Sequence, residues 1–201
     1  MSLSVPPIEP DDGPAQRAVR THLLSVGHTA LGFLGILAGH ATTSETLEDP
    51  VFREYLRVLL EQEVAPRWPS LPAADPAAHR AAIVRRLSRL GTAEELARLC
   101  LDGERNVARY LVPSVHEAMR AGRRHELSTL AVAAWLVLES RSRGVPSPLV
   151  IRDGEIYGTL ATDALFLANT RAAVTALRRH GARRALQIHL TSREAAPDVP
   201  R

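Results

Sequence analysis

The sequence predicts a mainly α fold, a multi-helix bundle with at most one short β-hairpin near 149–158. Three observations carry this. Helix start and stop residues recur along the chain, and the apolar residues between them keep a helical period. Strands never alternate with helices, which excludes a doubly wound sheet.

Taken in order, residues 1–13 hold Pro6, Pro7, Pro10 and the adjacent Asp11 and Asp12, and read as a linker or leader without the apolar stretch of a signal peptide. A helix follows over about 15–39, in which Gly32, Gly35 and Gly39 read as points of close helix packing. Thr42 with Glu45 has capping-box spacing. Asp49 is an N-cap ahead of Pro50 at the first helical position, and Val51, Tyr55, Val58 and Leu59 form one apolar stripe. Asp75-Pro76 opens a helix over 76–90 in the same way. Thr92 with Glu95 starts another over 93–101. In the helix over 104–121, Pro113 should kink or split the segment.

Leu127, Leu130, Ala131, Ala134, Trp135 and Leu138 keep helical spacing without a gap, and Val132, Leu136 and Val137 lie off that stripe. Such a helix is apolar on most sides and is expected at the centre of the core. Leu149 to Arg152 and Glu155 to Tyr157 flank Asp153-Gly154, a two-residue hairpin signal. The last helix is expected over 159–188, broken near Asn169 and Gly181. Gly91, Gly122, Gly144 and Gly181 each follow an expected helix end. The bundle domain is thus 14–190, with 191–201 a flexible tail.

Composition narrows the function. All 25 basic residues of the 201 are arginine, against 22 acidic ones. With no lysine to titrate, the net charge of +3 persists to high pH and inflates the pI of 9.7. The arginine pairs at 85–86, 123–124, 178–179 and 183–184 sit at helix ends, without interleaved aromatics, and read as solvated faces rather than a nucleic-acid surface. One cysteine, Cys100, excludes an internal disulfide and any cysteine-based zinc site, and cytoplasm is the default compartment. The apolar runs Ala30–Gly39 and Leu130–Leu138 fall short of the roughly 20 residues of a membrane span. His116-Glu117 and His125-Glu126 lack a second histidine four residues on and read as helix-surface residues, so no metal is expected. There is no phosphate loop, no nucleophile elbow and no dinucleotide fingerprint after a strand.

The stretch from Arg20 to Pro66 carries the strongest signal. It reads RTHLLSVGHTALGFLGILAGH over 20–40, then an acidic connector, then a helix closing on Glu63-Val-Ala-Pro66. This resembles the C-terminal domain of the mannitol dehydrogenase family, the long-chain polyol dehydrogenases and related sugar-acid reductases. The Gly27-His28 pair is nearest its mannitol-1-phosphate dehydrogenase branch. Leu101-Asp-Gly103 through Pro113, the helix 130–138 and the segment 172–186 continue the match in the same order.

The resemblance implies a helical domain like those of polyol and 6-phosphogluconate-type dehydrogenases, packed beside a Rossmann domain in cis or in trans. NAD or NADP would be held mainly by that other domain, and a polyol, sugar acid or sugar phosphate would lie in the cleft between them. The family pattern Lys-x-x-x-x-Asn-x-x-His falls on Arg20, Ser25 and His28. The lysine of that pattern is the general acid/base, the asparagine steadies the oxyanion and the histidine bonds the substrate. Arg105 and Asn106 match the family's basic substrate-binding position, while Glu104 and Ala108 replace its serine and proline. At about 100° per residue, Ser25 lies about 140° and His28 about 80° around the helix from Arg20, consistent with one cleft-facing side. Arginine keeps its proton and is a poor base. His22 and His40 have no assigned role.

Two functions follow. The first is the substrate-side domain of an NAD(P)-dependent polyol or sugar-acid oxidoreductase whose degenerate motif leaves it inactive alone. The second is a non-catalytic helical binding or scaffold protein that kept the fold. Homo-oligomerisation through an exposed face is compatible with either.

Overall fold

The computed structural model describes residues 14–67, 96–144 and 154–195. Their regular structure is helical, and no strand occurs among the described residues. Helix α1 spans Pro14–Ala38 and buries Val19, Leu23, Val26, Ala30, Phe33 and Leu34. Its Thr21–Ala38 portion is apolar and long enough to cross a membrane by length and composition, and 56% of it is buried within the fold, as in the core helix of a bundle. Gly35 does permit a close crossing. A Cβ there would lie 2.6 Å from Leu96 Cδ1 and 2.7 Å from Thr46 Oγ1.

Helix α2 spans Thr43–Glu48 and starts on the expected cap: Glu45 N–H donates to Thr42 Oγ1 at 3.1 Å. The return bond goes one residue further back than a standard capping box, from Ala41 N–H to Glu45 Oε2 at 2.7 Å. Helix α3, Pro50–Val58, starts on Asp49, which accepts from Val51 N–H at 2.9 Å. Past Val58 the helix widens into a π turn, Leu59–Val64, and ends in a 3-10 turn, Ala65–Arg67.

In the next described stretch, α4 spans Leu96–Leu99 and α5 spans Gly103–Asn106. A second π turn, Val107–Leu111, leads into α6, Val112–Arg120. Pro113 therefore splits its segment by widening the helix ahead of it. The two π turns share a cause. Pro66 and Pro113 each stand two residues beyond the end of a π turn and lack the N–H that would continue the α ladder. The preceding amides reach one residue further back, Ala65 to the Leu60 carbonyl and Val112 to the Val107 carbonyl.

Helix α7, Glu126–Ser142, is the core helix the periodicity predicts: every residue from Leu127 to Val137 is at most 7% exposed. Helices α1 and α9 pack against it. The hairpin expectation is corrected in its described half. Gly154–Tyr157 form a helical turn, α8, followed by a 3-10 turn, Gly158–Thr162. The turn sets the Tyr157 ring 6.5 Å from that of Trp135 and 6.2 Å from that of Phe166, and this burial outweighs the local turn signal. Residues 149–153, the helix over 76–90 and the Thr92 cap lie outside the described residues.

Helix α9 spans Ala164–Ala195 and starts on Asp163, whose Oδ1 accepts from Phe166 N–H at 2.8 Å. It passes Asn169 without a break. Within it, Gly181, at φ 74° and ψ 168°, leaves helical geometry. The helix continues into the stretch expected as tail and buries Arg193 to 8% exposure.

Arg193 completes a buried polar node. The Glu63 carboxylate, in the first π turn, accepts from Leu127 N–H at 2.9 Å and from Ser128 N–H and Oγ–H, each at 2.7 Å. It thereby caps the N-terminus of α7 from another element, and it pairs with Arg193 Nη1. Glu126 holds the same Nη1 at 3.0 Å, and Tyr55 Oη donates to the Leu127 carbonyl at 3.2 Å. Burial and the nearby Glu63 charge push the Tyr55 phenol well above its ordinary range, so it remains a donor.

Two carboxylates tie the ends of the bundle and set its acid response. Burial raises both, but other contacts win. Asp49 is held below its ordinary value by bonds from Arg183, at 2.6 Å, and from Val51. Glu126 is held down by its own backbone N–H and by Arg124, Arg193 and His125. Groups with a lowered folded pKa stabilise fully above their unfolded pKa, and that contribution is lost as pH falls through the folded value. The melting temperature should therefore be flat near neutrality and fall below about pH 4. In Asp49→Ala the fall should be shallower and the stability at pH 7 about 1 kcal/mol lower. An acid limb as steep as that of the wild type would show that Asp49 has no part in it.

Candidate functional site

The candidate residues from the sequence sit on α1 and on α5, and the π turn that follows α5 packs against α1. On α1, Thr21 is exposed and Ser25 and His28 are half-buried, while Leu23, Val26, Gly27 and Ala30 are buried. Ser25 and His28 are about 60° apart around the helix, with Thr21 between them in angle. They therefore share the open side of α1. Arg20 is placed by its backbone within the same helix, and its side chain lies outside the described residues.

Arg105 is exposed and Asn106 half-buried at the end of α5. The start of α5 is seated on the core: a Cβ at Gly103 would lie 2.8 Å from Trp135 Nε1 and 3.5 Å from Phe33 Cε1. At the other end, His22 Nε2 lies 3.4 Å from Ser114 Oγ, and the His22 and Tyr110 rings meet edge-on at 5.9 Å. The chain from Gly103 to Ser114 thus runs antiparallel to α1, from Phe33 back to His22. By that register Arg105 and Asn106 fall opposite Leu31 and Ala30, beyond His28, and it is the π turn Val107–Leu111 that packs alongside the Ser25–His28 stretch.

His22, Tyr110 and Ser114 are not singled out by the sequence, yet they are described links between the two segments. Their only signal is a polar residue on an otherwise apolar helix. His116 and His125 take structural roles. His116 Nε2 lies 3.1 Å from Thr159 Oγ1, and His125 is buried beside Asn169 at 3.4 Å. Among the described residues no three His, Cys, Asp or Glu side chains converge on a cation position. Burial pushes the Cys100 thiol up to about 12, which keeps it protonated and unreactive near neutrality.

Gly103 is the tightest point of the site. Gly103→Ala should cost about 1–3 kcal/mol by overpacking against the indole, read as a lower denaturation midpoint with altered Trp fluorescence. An unchanged midpoint would mean that the Trp135 contact yields freely.

Residues 17–177 match the mannitol dehydrogenase C-terminal domain family over most of the chain. The chain belongs to that family. Mannitol dehydrogenase 2 of Saccharomyces cerevisiae is 35% identical over 118 residues, which cover 58% of this chain and 24% of that protein. Mannitol 2-dehydrogenase of Phaeosphaeria nodorum is 28% identical over 186 residues, covering 82% and 33%. Among solved structures, Pseudomonas fluorescens mannitol 2-dehydrogenase, a ternary complex with NAD and D-mannitol, superposes with a TM-score of 0.81 at 26% identity. That match covers 91% of this chain and 42% of the enzyme. The chain therefore spans about a quarter to a third of the length of these curated relatives. In this mannitol dehydrogenase C-terminal domain, the Glu63-Val-Ala-Pro66 segment has a defined structural role. Glu63 caps α7, and Pro66 enforces the π turn that presents it.

Proposed function

We propose that this domain forms the substrate-side wall of an NAD(P)-dependent polyol or sugar-acid oxidoreductase. The reading is supported by the family match over residues 17–177 and by the open side of α1 that Ser25 and His28 share, beside which the π turn Val107–Leu111 packs. The described helices offer no strand-to-helix cradle for a dinucleotide pyrophosphate. NAD or NADP is therefore assigned to a Rossmann domain in cis or in trans. The chain's own part is to hold a polyol, sugar acid or sugar phosphate. His28 bonds a substrate hydroxyl, Ser25 reaches the oxygen at the reacting carbon, and Asn106 and Arg105 close the other side.

Proton transfer is the weak point. The family's lysine can be tuned by burial to exchange a proton near neutrality, whereas Arg20 stays charged and orients oxygens without taking their protons. Ser25 is shorter than asparagine and supports the oxyanion less well. We therefore propose that the domain binds and orients but does not turn over substrate alone, in the cytoplasm.

The test is a chimera in which this chain replaces the matching 42% of the P. fluorescens enzyme. The isolated chain should neither bind NADH nor oxidise D-mannitol. The chimera should bind NADH and give a D-mannitol-dependent quench of its fluorescence. A chimera that binds NADH but gives no response to any polyol, sugar acid or sugar phosphate would favour a scaffold that kept only the fold. Turnover by the isolated chain would overturn the assignment of NAD(P) to another domain.

A further inference from the structure

The segment opposite α1 has an unusual problem of register. In the π turn Val107–Leu111 the ladder is widened, and Pro113 removes an amide from the turn that follows. The backbone bonds of this stretch reach one residue further back than in an α-helix, and Arg105 and Asn106 precede it in the chain. A side-chain lattice compensates. The Ser114 hydroxyl donates to the Tyr110 carbonyl at 2.8 Å, closing the widened turn on itself. Arg109 stacks its guanidinium 5.5 Å from the centre of the Tyr110 ring, and the edge of His22 meets that ring at an interplanar angle of 69°.

Donor and acceptor counting fixes the role of His22. A carbonyl only accepts, so the single Ser114 hydrogen is committed to Tyr110. The Ser114 lone pairs are left toward His22, 3.4 Å away, and Nε2 must donate to them. His22 lies one turn before Ser25 on α1.

We propose that His22 is a positioning residue of the cleft: as an Nε2–H donor to Ser114, it locks the α1 turn bearing Ser25 and His28 to the widened turn Val107–Leu111, which follows Arg105 and Asn106 in the chain. This rests on the cleft reading of the preceding section. It assigns His22 no contact with substrate.

The test uses the full chain, 15N-labelled, with His22→Leu, His22→Gln and Ser114→Ala. Glutamine places its amide nitrogen near the position of Nε2 and can make the same donation. At a pH where the ring is neutral, His22 should show the Nε2–H tautomer in long-range proton–nitrogen spectra. Amides 107–112 should exchange about tenfold faster in His22→Leu and Ser114→Ala, and within about twofold of wild type in His22→Gln, with α7 amides unchanged. An Nδ1–H tautomer, no acceleration in Ser114→Ala, or equal acceleration in His22→Gln and His22→Leu overturns the proposal. Ser114→Ala leaves the ring in place and decides the matter if His22→Leu does not fold. If these results hold while the chimera never responds to a polyol, the functional reading fails and the lock stands.

Discussion

Glu63→Ala is expected to destabilise the domain by about 3–5 kcal/mol, the usual consequence of removing one partner from a buried ion pair. Glu63 is 2% exposed and receives two α7 amides, the Ser128 hydroxyl and Arg193. Its loss leaves a buried guanidinium with only Glu126 and Gln62 beside it among the described residues and uncaps the central helix. Against the 5–15 kcal/mol typical of a whole domain, that is a substantial share. Arg193→Ala should lose a similar amount. Because both changes break one interaction, Glu63→Ala with Arg193→Ala should cost clearly less than their sum. Urea unfolding of the four proteins measures this, and strict additivity would show that the two groups act independently.

The second large effect concerns chemistry. In the chimera with the P. fluorescens enzyme, Arg20→Lys combined with Ser25→Asn should raise D-mannitol oxidation about 10²–10⁴-fold over the parent chimera, the usual range for a restored general acid/base. Arg20→Ala should give no gain, because it restores no titratable amine. The gain should be largest where the lysine is free of its proton, so kcat/KM should rise with pH before levelling. Equal rates for Arg20→Lys and Arg20→Ala would remove position 20 from the cleft.

The helices of this domain were legible where a cap or a sustained period marked them. Asp49-Pro50 and Thr42 with Glu45 start helices as their chemistry requires, and the gapless apolar pattern of 127–138 marked the buried core helix. Over Gly154–Tyr157 the local turn signal did not decide the structure, because the Tyr157 ring packs on Trp135 and Phe166. Pro113 announced an irregularity but not its kind, and Pro66 was read only as the end of a motif. On the candidate site, the positions on α1 were assigned from the resemblance. The lattice of His22, Tyr110 and Ser114 was not, since it needs residues 92 apart to meet. Glu63 was visible as part of a motif, but what it does depends on where α7 begins in space.

The widened turn at Val107–Leu111 also has a bearing on evolution and engineering. A π turn holds one residue more than the α turn it replaces, so everything beyond it is rotated by about 100° relative to an uninterrupted helix. Deleting one residue from this turn would act as a rotation more than a shortening. It would swing Ser114 away from α1 and bring solvent-facing positions of α6 toward the core. The length of this segment is therefore a constraint of its own, separate from the identity of any side chain on it. Relatives could exchange residues along it more easily than they could lose one.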